Sequence, residues 1–213
     1  MAAAKATTVL DPPKWILGWF IISSFIVMWD TGYILGRPHT FKGGKWHFLW
    51  QPYDLYGDVD LIYSKRFYEL HNGFTLAQGL MNIVETILNF SYVYLAAYQS
   101  NARLRAIAPV IGFTAAIATF WKTVLYWAQD WASGPKGWGY TGHNTAYNFI
   151  VIFFLPNFQW ILFPAAIAFS LGRTMSQSLI QAAGLAGPAG GTRSRTRKSS
   201  TPTTSRRKSV KAQ

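Results

Sequence analysis

Five polar side chains ride one face of an otherwise greasy helix. Gln78, Asn82, Glu85, Asn89 and Tyr92 recur at alternating steps of four and three within Gly73–Tyr98. That spacing keeps all of them on one side of an α-helix. The other faces carry Leu, Met, Ile, Val, Phe and Ala, and the segment is long enough to cross a bilayer. A carboxyl and two carboxamides at membrane depth are expensive unless they face a shared interior. The stripe therefore predicts a membrane protein with a polar cavity between its helices, with Glu85 as the first candidate for chemistry.

Three further segments have the same character: Lys14–Leu35, Leu104–Asp130 and Ala146–Leu171. Each is long enough to span with some tilt. The first is too long for a signal-peptide core and has no small-residue cleavage site, so it is expected to remain as an anchor. The fold class that follows is all-α: one bundle of four transmembrane helices over residues 14–172, preceded by a short segment 1–13 and followed by a tail 173–213. Half of the 213 residues are hydrophobic and only 13% are charged, about half the share usual in a soluble domain.

The net charge of +12 invites a nucleic-acid reading, but its distribution argues against one. Eight Lys and Arg lie between Arg193 and Lys211, which leaves about +4 on the rest of the chain. The tail is rich in Ser, Thr, Gly and Pro and is expected to be disordered. Its partners would be anionic membrane lipids, under control by phosphorylation. Lys5, Lys14, Arg103, Arg105 and the tail all fall on one side of four crossings. By the positive-inside rule that side is cytosolic, with both termini, and the Gly36–Asn72 and third connections face a lumen. Trp15, Trp19, Trp46, Trp50, Trp131 and Trp138 sit near the predicted boundaries, as an interfacial aromatic belt would. The aromatic density of Gly36–Asn72 predicts a packed cap rather than a slack loop.

Helical rise turns the sequence into a depth map, at about 1.5 Å per residue. Asp30 falls in the lumenal third of the first helix, and Glu85 lies about 18 Å down the second. Lys122, Thr123 and Tyr126 fall in the lumenal half of the third, and Asn157 and Trp160 near the middle of the fourth. These groups share one depth band. Pro156 and Asn157 are expected to kink or break the fourth helix there.

Glu85 and Asp30 are the candidate catalytic acids, each carboxyl serving one proton transfer. Asn82, Asn89, Thr123, Tyr126, Trp127, Asn157 and Trp160 are the candidate substrate-binding residues. Trp121, Trp127, Tyr126 and Trp160 offer π faces to a cation. Lys122 either pairs with Asp30 or Glu85 or snorkels to the interface, with snorkelling favoured. His143 and His47 lie in loops, and His143 is an uncertain site member. No metal site is expected: Asp54, Asp58 and Asp60 lack the glycine and glutamate of a calcium loop. No cofactor motif is present, neither a phosphate-cradling glycine loop nor a dinucleotide fingerprint. The absence of cysteine removes thiolate chemistry. Asn89-Phe90-Ser91 is formally a glycosylation sequon, expected to be unmodified at this depth.

Across Ile16–Leu171 the chain resembles the EXPERA-domain family, which includes emopamil-binding proteins (sterol double-bond isomerases) and the sigma-two receptor. The resemblance rests on Asp30 followed by Gly32 and Tyr33, and on the aromatic stretch Leu49–Tyr63. It continues in Val84-Glu85-Thr86-Ile87, Val124-Leu125-Tyr126 with Asp130, Gly142-His143, Asn157-Phe158-Gln159-Trp160 and Pro164. It implies four helices around a ligand cavity open to the membrane, an endoplasmic-reticulum location and sterol-like ligands. It also implies acids that shuttle protons at an olefin beside an aromatic wall, the roles that Asp30, Glu85, Asn157 and Trp160 would take. The chain departs from the pattern at Ile26, where the isomerases carry histidine. It departs again at Asp30 itself, at Leu88 and at Lys122. A hydrophobic sterol or terpenoid, isomerised or cyclised through a carbocation, is the expected substrate, with a non-catalytic sterol- or lipid-binding protein as the alternative. The oligomeric state stays open, a homodimer included.

Overall fold

A computed structural model describes residues 11–185, all-helical and without strands. The predicted tail falls largely outside these residues. Among the described residues, four helices are long and apolar enough to cross a membrane. The first is α1 (Lys14–Leu35). Two short cap helices, α2 (Pro52–Val59) and α3 (Lys65–Glu69), precede α4 (Phe74–Val93), which ends in a wide π turn over Tyr94–Tyr98. The one-turn helix α5 (Ala102–Arg105) leads into α6 (Ala108–Trp131). A second π segment, Asn148–Phe154, opens the last span and runs into α7 (Leu155–Ala182). That span continues past the expected end near Leu171, because 173–182 stay helical.

The spanning helices are inside-out relative to a soluble bundle. On α4 the buried residues include Gln78, Asn82, Glu85, Asn89 and Tyr92, while Leu80, Val84 and Ile87 are more than half exposed. Phe25 on α1, Trp121 on α6 and Phe169 on α7 also face outward. So much exposed apolar area is tolerable only in lipid.

Neighbours pack in the order α1–α4–α6–α7. The core away from the cap gathers Ile16, Phe20, Tyr92, Ala115, Ala116, Ile167 and Leu171. Small residues let the backbones approach there. A Cβ on Gly112 would stand 2.6 Å from the Tyr92 ring and 2.8 Å from Leu171.

The long first connection is a packed cap, as its composition predicts. Trp50 lies over Gly32, where a Cβ would come within 2.9 Å of its ring, and its indole N–H donates to the Trp29 carbonyl at 2.9 Å. Arg37 donates to Thr75 Oγ1 at 2.9 Å and to the Tyr63 carbonyl at 3.1 Å. Tyr33, Tyr53 and Tyr63 stack beneath it. The third connection is drawn in by Asp130, which accepts from the Tyr140 amide at 2.8 Å and the Thr141 hydroxyl at 2.6 Å.

Candidate functional site

At the cap end the helices enclose a cavity of about 500 Å³. The first and last spans meet below it, where Trp19 stacks on Phe163 at 4.0 Å and meets the Trp160 ring edge-on at 5.7 Å. Above that floor the wall contains Asp30, Tyr53, Tyr56, Tyr63, Gln78, Asn82, Lys122, Thr123, Tyr126, Asn157 and Trp160. Ile26, Trp29, Leu55 and Val151 form an apolar, outward-exposed rim.

A continuous polar chain joins three helices. Asp30 Oδ1 accepts from the Tyr53 phenol at 2.7 Å, and Asp30 Oδ2 accepts from Tyr63 and from Asn82 Nδ2, each at 3.3 Å. The Asn82 oxygen in turn accepts from the Lys122 ammonium. Lys122 Nζ also donates to Glu85 Oε2 at 2.6 Å. Asp30 and Glu85 are therefore the two ends of one hydrogen-bonded line, Asp30–Asn82–Lys122–Glu85. The favoured snorkelling of Lys122 is corrected: its side chain is only 8% exposed. A buried carboxylate at hydrogen-bonding distance outweighs the reach to an interface. Glu85 itself stands behind Lys122 and is not part of the cavity wall.

A second acid, which sequence reasoning missed, stands behind Tyr126 and outside the cavity lining. Tyr126 on α6 donates its phenol proton to the buried carboxyl of Asp60 in the cap. The Tyr126 and Tyr56 hydroxyls lie 3.5 Å apart, and Asn157 Nδ2 donates to the Tyr56 oxygen at 3.1 Å. Burial, helped by the nearby Asp130 charge, pushes the Asp60 carboxyl up to about 7 against the Tyr126 hydrogen bond. Burial and the neighbouring acids likewise push the phenols of Tyr53, Tyr56 and Tyr63 upward, so they remain proton-bearing. A signal for this cluster existed in the sequence. Tyr53, Tyr56, Asp60 and Tyr63 recur at steps of three and four.

The remaining candidates divide. Thr123 lines the cavity, but its hydroxyl is spent on the Thr119 carbonyl at 3.0 Å. Asn89 lies deeper, bound to Ser24 Oγ at 3.1 Å and 1% exposed, so the asparagine of its sequon is sealed inside the bundle. Trp127 packs on Phe154 at 5.2 Å outside the cavity wall, and Trp121 is 61% exposed, so neither aims a ring at the cavity. His143 serves the cap: its Nε2 meets the Asp58 carbonyl at 2.8 Å, beside the bond from Asn144 to the Val59 carbonyl. Among the described residues, no three His, Asp or Glu side chains converge as metal ligands.

Pro156 does not kink an α-helix from within. The backbone is already in the wide π form up to Phe154, and Pro156 sits in the first turn of α7, where its missing N–H is tolerated. Asn157 Nδ2 donates back to the Phe153 carbonyl at 2.8 Å. This widened stretch turns Pro156, Asn157 and Trp160 into the cavity, a common use of π segments.

No protein-family model, curated protein or solved structure matches this chain.

Proposed function

We propose that the protein is a membrane-embedded isomerase or cyclase of a hydrophobic sterol or terpenoid, working by proton transfer through a carbocation. One observation carries this reading: the carboxyl of Asp30 stands in the wall of an aromatic, lipid-rimmed cavity with three donors converging on its oxygens. Converging donors hold a carboxylate in one orientation, which suits it to collect a proton from a bound cation. Tyr126, which also lines the cavity and is backed by Asp60, supplies a second proton position. The rings of Trp29, Tyr53, Tyr126 and Trp160 line the cavity, where a transient cation is favoured by their π faces. The volume lies in the range of small-molecule sites.

Glu85 has an indirect part in this proposal. Its carboxylate fixes Lys122, and Lys122 fixes Asn82 against Asp30. The chemistry uses this chain's own acids and phenols. The basic residues Lys14, Arg103 and Arg105 lie away from the cap and, with the basic tail, support cytosolic termini and a cap in the lumen.

The test is solvent exchange. Purified full-length protein in heavy water, given unsaturated sterols and cyclisable terpenoid olefins, is expected to place deuterium on carbon. Asp30→Asn should abolish incorporation. Ligand retained by the wild type without any exchange would instead assign a lipid-binding protein.

A further inference from the structure

Lys122 is a costly group that proton transfer at Asp30 leaves without chemistry of its own. Removing an ammonium and a carboxylate from water costs several kcal/mol per ion, and apolar residues of similar size often do as well structurally. Yet the ammonium stands in the wall of an apolar cavity, its side chain 8% exposed. An ammonium has three protons. One goes to Glu85 Oε2 at 2.6 Å and one to Asn82 Oδ1, which leaves a third for the cavity. Gln78 lies on the same wall, its Nε2 donating to the Lys122 carbonyl at 3.2 Å, and its buried Oε1 has no partner.

These surroundings select a ligand. An anion would meet two carboxyls, Asp30 and Glu85, against one ammonium. The apolar rim of Ile26, Trp29, Leu55 and Val151 admits a neutral, greasy molecule. A primary amine with a carboxylate in contact is the equipment for condensing with a carbonyl, and an intramembrane carboxylate is a suitable counter-ion for the product.

We propose that Lys122 is a covalent attachment site for an apolar aldehyde, held as a protonated Schiff base with Glu85 as its counter-ion. Glu85 first takes one proton from the ammonium. The freed nitrogen lone pair attacks the carbonyl carbon, the C=O π pair moves to oxygen, and a proton passes from nitrogen to that oxygen to give a carbinolamine. Its hydroxyl finds an acceptor in Gln78 Oε1. Glu85 then returns its proton to the hydroxyl, which departs as water while the nitrogen lone pair closes the C=N bond. Ammonium plus aldehyde gives iminium plus water, with no oxidant or reductant. The positive charge is on nitrogen at the start and at the end, so the pairing with Glu85 is preserved. This inference does not depend on the proton chemistry assigned to Asp30.

The experiment uses the full chain in lipid nanodiscs with two probe aldehydes, all-trans-retinal and the shorter farnesal. Borohydride reduction is expected to fix a single alkyl group per chain, on the peptide that carries Lys122. Bound retinal should absorb to the red of its free imine, and Glu85→Gln should move that band. Lys122→Arg keeps a cation for Glu85 but cannot condense, so the adduct should vanish. An adduct of undiminished yield in Lys122→Arg, or mapped to another lysine of the wild type, overturns the proposal. So does the absence of a reducible adduct with both aldehydes. If Lys122→Arg does not fold, mapping in the wild type decides alone.

Discussion

The phenol of Tyr53 donates to the carboxyl of Asp30 at 2.7 Å, and that one bond ties the cap helix α2 to the spanning helix α1. It makes the cap part of the site rather than a cover over it. Tyr53 also stacks on Tyr33 at 4.0 Å, so its ring is held from the side while its hydroxyl points at the acid. Tyr53→Phe keeps the stack and removes the bond. A hydrogen bond to a charged group contributes about 1.5–3 kcal/mol. The variant is expected to lose about that much stability in detergent, read by thermal unfolding, and to bind ligand with the Asp30 carboxyl less well fixed.

The ion pair of Lys122 and Glu85 gives a sharper energetic contrast. Each side chain is less than a tenth exposed. Removing one partner of a buried pair strands the other charge and typically costs about 3–5 kcal/mol. Lys122→Met and Glu85→Leu are each expected to destabilise by that order. The double variant should recover most of the loss, because both charges then disappear together. Additive losses in the double-mutant cycle would count against a tight pair.

Asp60 predicts a pH dependence with a definite sign. Its carboxyl is raised from 3.8 to about 7, first by burial and then by the Asp130 charge. The folded protein therefore holds a proton there that the unfolded chain has released. The stabilisation is full below the unfolded value and is lost as pH rises through the folded one. Thermal stability should fall between about pH 4 and 7. In Asp60→Asn that component should be missing, so the two melting curves should diverge across the window and then run parallel above it.

Gly112 is expected to tolerate no side chain. A Cβ there would meet the Tyr92 ring and Leu171 at 2.6 and 2.8 Å, inside the contact of α4, α6 and α7. Overpacking of this kind costs about 1–3 kcal/mol. Gly112→Ala should lower the melting temperature without touching the cavity, which lies at the other end of the bundle. Retained ligand affinity alongside reduced stability would separate the two regions.

Tyr126 separates proton supply from packing. Tyr126→Phe keeps the ring that stacks near Phe74 and Phe153 but removes the donor to Asp60. Solvent deuterium incorporation should fall while ligand affinity stays near the wild-type value. Unchanged incorporation would take the Asp60 arm out of the reaction.

The spans were legible because lipid imposes a simple rule. A segment must be long and apolar, and its polar groups must turn inward. The α4 stripe obeys it residue by residue, and Asp30, Asn82, Lys122, Tyr126, Asn157 and Trp160 do come to one cavity. What the pattern misled about were partners. Helical depth put Glu85 at the right level but not behind Lys122. Lys122 read as a snorkelling residue because no one-dimensional pattern reports a carboxylate on a neighbouring helix. Trp121 and Trp127 offered π faces in the sequence but point in other directions.

Periodicity and length thus determined the number of crossings, the inward face of α4 and the depth of the intramembrane polar groups, since all three follow from local geometry in a uniform solvent. The tertiary structure alone decided which acid meets the cavity, that Lys122 shields Glu85, and that Asp60 enters from the cap. Those outcomes depend on how a 37-residue separation between Glu85 and Lys122, and a 66-residue one between Asp60 and Tyr126, close in space. Side-chain contacts over such separations are set by how the helices pack, and helical periodicity carries no record of that.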